Sequence, residues 1–458
     1  MNSFCQVDYF VEEKEVNDLL DTFEIDHQNK RQTIVNILNQ YQEIPELLDA
    51  HLEGMMNKLT NILRVQLSLC DSNKVYNDEL VHDIFRLIYT LCKVRGHKFI
   101  IKFFPHEVSD LEQTYNYLIK QDQYDFSHWE TRYSLFLWLS IIILIPFDLA
   151  TIDSVTINNE DSLVYRMIHL SYNYLSDTGA TANTASLFLA ALFSRPDMNT
   201  IYHEYFISFL NRLKIDLLST KNIFQKAGLL YCLACILKKV ARDTMLEKIH
   251  IIYDAIINID QDIWCNIPNI TIRKLYMKNI QRIGLTFLKL KLASWRYQRG
   301  MRSLETNLSS STSEEKIVTV ATKHQQQQEE DDEDDDDDEI PEEIDDIIDQ
   351  LLSGLKDKDT IVRWSAAKGI GRITMRLPGD FADQVVEAVL DLFNDNESDS
   401  AWHGACLALA ELARRGLLTA KWLQKAVSYC VEALNYEVYI IDHAIGSHVR
   451  DAACYVCW

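Results

Sequence analysis

Apolar side chains recur at steps of three and four along most of this chain, the spacing that gathers them on one face of a helix. The pattern predicts helices over roughly 29–40, 46–66, 77–92, 107–120, 128–145, 161–175, 181–193, 200–218, 222–241, 244–258 and 271–298. Ser109/Glu112, Ser127/Glu130 and Thr244/Glu247 have the spacing of capping boxes at the head of such segments. The pattern is clearest beyond residue 340. Ile344, Ile347, Ile348, Leu351, Leu352 and Leu355 make one apolar face, and the charged break Lys356-Asp357-Lys358-Asp359 ends it. Thr360 is then placed to cap a second helix carrying Val362, Trp364, Ala366, Ala367, Ile370 and Ile373. Gly369 and Gly371 within that helix each cost about 1 kcal/mol against alanine, so close helix packing is expected to compensate.

The small-residue block of this hairpin returns twice. Ser365-Ala366-Ala367 is followed by Gly404-Ala405-Cys406 and by Ala452-Ala453-Cys454, at steps of 39 and 48 residues, and Val362-Arg363 returns as Val449-Arg450. Such periods belong to helical-pair repeats of the HEAT and armadillo type. The expected fold is all-α, a HEAT/armadillo-type helical-repeat solenoid. Its organisation reads as a divergent helical segment over 1–302, a linker over 303–339 and clear repeats over 340–458.

Composition sharpens this picture at three points. The linker turns from Ser/Thr to Gln325–Gln328 and then to an unbroken acidic run, Glu329–Glu339, which supplies eleven charges of the net −23. The remainder is acidic as well, so phosphate electrostatics disfavour nucleic acid as a partner. The ten cysteines, with no N-terminal signal pattern, read as thiols of a reducing compartment rather than a disulfide framework. Leu135–Phe147 is intensely apolar but only thirteen residues long, a core helix rather than a bilayer span, which needs about twenty.

Chemistry-bearing motifs are sparse. The chain has no GxxxxGK[ST], HExxH or GxSxG, and Gly369-Ile370-Gly371 lies inside a predicted helix, where it cannot cradle a phosphate. Cys232-x-x-Cys235 and Cys454-x-x-Cys457 have zinc-ligand spacing but sit within apolar helical patterns, so buried thiols are the expected account. His106, His128, His203, His403 and His448 have no ligand-spaced partners in the sequence. No catalytic residue, metal site or bound cofactor is expected. Scaffold, transporter and chaperone remain as classes.

Longer blocks narrow them. Gly354–Ile373, Ala401–Leu418 and Val449–Trp458 resemble the tubulin-folding cofactor D family, as do Arg282–Gly300, Trp129–Leu149, Lys93–Val108 and Tyr41–Met56, in the family's order. The resemblance implies a solenoid that acts after the cytosolic chaperonin and captures β-tubulin. With cofactors C and E it would assemble and take apart the α/β-tubulin heterodimer; it would also bind an Arf-like small GTPase and, together with cofactor C, stimulate tubulin GTP hydrolysis, all in a cytoplasmic, cytoskeleton-associated setting. The competing reading is a HEAT-type scaffold or nuclear import carrier unrelated to tubulin. Tyr436–Ser447 departs from the family pattern. The family is also much longer, and the sequence stops at Trp458 within an apolar helical face formed by Ala453, Val456 and Cys457, which points to an N-terminal fragment or an incomplete gene product.

Two groups of residues stand out for partner contact: Trp295, Arg296, Tyr297 and Arg299 in the basic, aromatic stretch before the linker, and Arg414 with Arg415. Asp357, Asp359, Arg363 and Arg450 are expected to form a ladder between neighbouring hairpins, with Trp364 and Trp402 packed between repeats.

Overall fold

The computed structural model describes residues 9–72, 74–149, 162–257, 267–290, 340–394, 396–440 and 443–458. They form two compact units, one ending at Ile252 and one starting at Tyr253. The N-terminal unit contains helix pairs α1 (Glu13–Asp21) with α2 (His27–Gln40), α3 (Leu52–Asp71) with α4 (Asp78–Arg95), α5 (Ser109–Ile119) with α6 (Trp129–Ile142), α7 (Leu163–Tyr174) with α8 (Thr181–Phe193), and α9 (His203–Ser219) with α10 (Ile223–Lys239). The second helices pack on one another in chain order, α2 on α4, α4 on α6, α6 on α8 and α8 on α10. Leu135, Phe136, Leu137, Trp138 and Leu139 are therefore buried on every side of α6, which is flanked by α4, α5 and α8. That position accounts for the membrane-like hydropathy. Among the described residues no helix is long and apolar enough to cross a bilayer.

The division between units falls within α11 (His250–Ile257). In the C-terminal unit Tyr253 packs edge-on to Phe287 of α12 (Ile270–Phe287), and its hydroxyl donates to Asp346 of α13 (Glu343–Leu355) at 3.4 Å. α14 (Thr360–Thr374), α15 (Gly379–Leu390), α16 (Asp399–Ala413), α17 (Ala420–Leu434) and α18 (Ser447–Cys457) complete the unit, and α12, α14, α16 and α18 stack in one layer. The described residues 253–257 and 267–290 fall within this unit. The linker expected at 303–339 lies outside the described residues.

Repeat signals emerge once the helices are aligned. Ala366, Ala405 and Ala453 are each the seventh residue of their helix and each fully buried. The sixth position is small in α6, α8, α10, α14, α16 and α18: Ser134, Ser186, Gly228, Ser365, Gly404 and Ala452. In two of these the backbone comes closer than a side chain allows. A Cβ on Gly228 would sit 1.9 Å from the carbonyl oxygen of Leu175, at the end of α7, and one on Gly404 would sit 2.0 Å from that of Leu355, at the end of α13. In both cases a second helix presses on the end of the preceding pair's first helix. Gly369 and Gly371 also sit against neighbours, Leu351 and Glu411.

Repeats are hard to see in the first 250 residues because the second helices there begin at His27, Asp78, Trp129 and Thr181, about 50 residues apart, beyond the usual HEAT and armadillo length. One-turn helices at Pro45–Leu48, His97–Ile100, Ile101–Phe103 and Phe126–His128 lengthen the connections. Other expectations need correction. The segments expected at 46–66 and 244–258 begin later or divide: α3 starts at Leu52, and Arg242–Leu246 is a separate turn from α11.

The capping boxes are not caps. Ser109 is already the first residue of α5, Ser127 lies in a turn before α6, where its Oγ donates to Asp125, and the Thr244 hydroxyl accepts from Asn199. Thr360 likewise opens α14 without capping it, its Oγ1 accepting from Arg363 at 2.9 Å. Helices are capped instead by Asn77, Ser162, Asn222, Asn269 and Ser398, whose side chains accept backbone N–H groups two or three residues on. One departure from all-helical structure exists among the described residues, an antiparallel ribbon pairing Val438–Ile440 with His443–Ile445, inside the stretch that departs from the family pattern.

Candidate interaction surface

Arginine occupies the fourth position of four second helices: Arg132 in α6, Arg273 in α12, Arg363 in α14 and Arg450 in α18. Each donates to a backbone carbonyl in the connection before its own helix. Arg132 reaches Asp122 and Asp125, Arg273 reaches Ile267, Arg363 reaches Asp357, and Arg450 reaches Tyr436. A fixed planar fork of donors suits this bracing of a turn that has no regular backbone partner.

Two of these arginines also join neighbouring pairs. Arg273, fully buried, donates through Nε to Asp357 at 2.9 Å and through Nη2 to Asp359. Arg363 passes the connection on, its Nε donating to Nδ1 of His403 on α16 at 3.0 Å. Since the guanidinium has only donors, Nδ1 must be the acceptor and the imidazole proton sits on Nε2. The His448 ring of α18 lies 5.3 Å from His403, and its Nε2 is 3.4 Å from Asp399. A polar ladder therefore crosses α12, α14, α16 and α18. Among the described residues Arg450 has no aspartate partner; it donates to the Tyr436 carbonyl at 2.8 Å.

Burial, then the Arg363 charge and the His448 ring, push the His403 imidazole down to about 4 from its usual value, with Asp399 acting the other way. Burial also lowers Arg363. The sign of the consequence follows directly. Above pH 6.5 both folded and unfolded His403 are neutral; below it only the unfolded chain takes up the proton, so stability falls as pH drops from 6.5 towards 4. We expect a loss on the order of 2–3 kcal/mol from this group across that window. His403→Gln, which keeps an acceptor without a titrating ring, should flatten that part of the urea-midpoint profile; an unchanged slope would show that the ring is not its source.

Trp402 is buried, its Nε1–H donating to the Asn394 carbonyl at 3.0 Å and its ring edge-on to Phe393 and tilted on Tyr436. Trp364 is half-buried: its ring meets Tyr455 at 5.4 Å, and Lys368 lies over it. The Trp364 and Tyr455 rings come from the helices either side of α16, on which Trp402 itself lies. Arg414 and Arg415 diverge. Arg415 is held by the buried Glu411, whereas Arg414 is 64% exposed and only 4.0 Å from that carboxylate. Beyond them, Leu423, Val427 and Val431 are exposed at steps of four along α17, while Trp422, Ala426, Cys430 and Ala433 of the same helix are buried. Trp295, Arg296, Tyr297 and Arg299 lie outside the described residues.

Sequence reasoning named His403 without its Arg363 contact, and missed Arg273 and Arg376, the last donating from beyond α14 to the carbonyls of Leu285 and Leu288 at the end of α12. The fourth-position rule would have found Arg273. The cysteine expectation also needs correction. Cys232 is buried as expected, but Cys454 and Cys457 are exposed on α18. Among the described residues no three His, Cys, Asp or Glu side chains are grouped to hold a metal ion.

These features define an all-α protein of the HEAT and armadillo repeat class. Two family models match it in order: "Tubulin-specific chaperone D-like, ARM repeat" over residues 38–213, and "Tubulin-specific chaperone D-like, ARM repeats" over 271–458. The chain belongs to the tubulin-specific chaperone D-like family. Tubulin-specific chaperone D of Dictyostelium discoideum is 32% identical over 98% of this chain and 38% of its own length. Tubulin-folding cofactor D of Schizosaccharomyces pombe is 28% identical over 97% of this chain and 37% of its own. The chain thus spans well under half the length of these curated relatives. A crystal structure of the karyopherin Kap121p bound to the extreme C-terminus of the protein phosphatase Cdc14p aligns over 97% of this chain and 38% of that one, at 12% identity and a TM-score of 0.45, a likeness too distant to bear on function.

Proposed function

We propose that this chain is a tubulin-folding co-chaperone, an interaction protein that binds β-tubulin after the chaperonin and takes part in assembling and taking apart the α/β-tubulin heterodimer. The observation that carries this reading is the ordered match of two chaperone D-like repeat models to the two packed units. Cofactors C and E and an Arf-like small GTPase are its further partners, and the setting is cytoplasmic and associated with the cytoskeleton. It stimulates tubulin GTP hydrolysis jointly with those cofactors and has no catalytic site of its own. A stack of helix pairs suits such work, since it spreads many modest contacts over one extended surface.

Among the candidate contact residues, Arg414 supports this reading best, being exposed at the end of α16, while Arg415 is committed to Glu411. Co-elution of the full chain with purified tubulin tests the proposal. Binding at micromolar concentration, undiminished by a basic import-signal peptide, is expected. Arg414→Glu should weaken it at least fivefold, roughly 1 kcal/mol, without moving the unfolding midpoint. Displacement by the import-signal peptide, or no binding, would replace the reading with that of a general HEAT-type carrier.

A further inference from the structure

We propose that Cys430 and Cys457 form a reversible dithiol–disulfide pair, a redox-modification site that fastens α17 to α18. Their sulfur atoms lie 3.5 Å apart, and closing that gap to a bond needs about 1.5 Å of approach between two helices already in contact. The two thiols are unequal in the way exchange chemistry requires. Cys457 is exposed on α18, whereas Cys430 is buried on the inner face of α17, with its Sγ 3.6 Å from the Ala453 carbonyl. Burial, then its contact with Cys457, pushes the Cys430 thiol up to about 11, so it is poorly ionised and shielded. Cys406, fully buried on α16, is pushed up to about 12, chiefly by burial, and stays out of the exchange.

The oxidant is a small disulfide such as oxidised glutathione. The Cys457 thiolate attacks one of its sulfurs, forming a mixed disulfide and releasing one glutathione thiolate, which takes up a proton. Cys430 then loses its proton and attacks the Cys457 sulfur of that mixed disulfide, breaking the bond to the second glutathione, which leaves as its thiolate and takes up that proton. Two protein thiols are oxidised, and one glutathione disulfide is reduced to two glutathiones. Excess reduced glutathione runs both steps backwards, which suits a compartment where protein disulfides are transient. The cross-link closes the segment that contains the Val438–Ile445 ribbon and ties the last helix of the unit to the one before it.

The test incubates the full chain, at a dilution that keeps it monomeric, with oxidised glutathione, followed by differential alkylation and peptide mapping. The expected product is an intramolecular Cys430–Cys457 link, formed without stable glutathione on either residue and reversed by reduced glutathione. Cys430→Ser should instead trap one glutathione on Cys457. Because Cys430 is buried, the exposed variant Cys457→Ser guards against misfolding: it should keep the reduced protein's unfolding midpoint and lose the rise of several degrees that oxidation gives the parent chain. Stable glutathionylation of Cys457 in the parent chain, or a link through Cys454 instead, would overturn the proposal.

Discussion

Gly404→Ala lowers the stability of the C-terminal unit by about 3 kcal/mol, the upper end of over-packing. The added Cβ would fall 2.0 Å from the Leu355 carbonyl oxygen and 2.8 Å from its carbon, both backbone atoms that no rotamer change can clear. Relief demands that α16 move away from the end of α13, and α16 is packed against both α14 and α18. Gly228→Ala carries the same penalty in the N-terminal unit, where the obstacle is the Leu175 carbonyl. Two substitutions serve as controls. Gly379→Ala meets nothing within 4 Å and should stay within about 0.5 kcal/mol. Gly54→Ala, on the exposed side of α3 with open space around it, should stabilise by about 0.5–1 kcal/mol, because alanine is the better helix former. Urea unfolding gives the magnitudes, and hydrogen exchange should localise the Gly404 effect to α13, α14 and α16. A Gly404→Ala chain as stable as the parent would show that the approach of helix to carbonyl is looser than described.

The second large effect comes from the polar ladder. Arg273→Met removes the guanidinium that donates to both Asp357 and Asp359, leaving the Asp357 carboxylate, whose side chain is 2% exposed, without that buried ion-pair partner. Removing one member of a buried pair costs about 3–5 kcal/mol, most of it the penalty on the group left behind. Asp357→Asn in the Arg273→Met background should therefore recover much of the loss, and the double-mutant cycle should be strongly non-additive. Arg273→Lys should not rescue, since one ammonium cannot reach the Ile267 carbonyl and both carboxylates from one position. Additive losses, or full rescue by lysine, would show that the site is ordinary packing around a charge. Asp357 also accepts the backbone N–H of Asp359 at 2.8 Å, so Asp357→Asn alone perturbs the turn as well as the pair.

How much could be read in advance depends on the range of each interaction. The hairpin of α13 and α14 was legible because Ile344, Ile347, Leu351 and Leu355 meet their neighbours through one face, and all four are buried. α1 was missed because only Val16 and Leu20 of its nine residues reach the core, too few for a periodic signal. The ribbon at Val438–Ile445 was missed because three-residue strands offer no alternation to read. The false capping boxes failed for a similar reason: serine and threonine followed by glutamate is a common spacing, and a helix start displaced by one residue turns the proposed cap into an ordinary helical side chain.

By itself, then, the sequence determined the helical class, the repeat type and the family, because apolar spacing, alanine blocks and long ordered matches are properties of neighbouring residues. Tertiary structure alone decided that the chain divides into two packed units at a point within α11, that Arg273 finds Asp357 84 positions away, that Gly404 lies against a carbonyl, and that Cys430 faces Cys457. Each of those depends on which helix stacks beside which, and burial sets that choice by removing apolar surface from water without regard to separation along the chain.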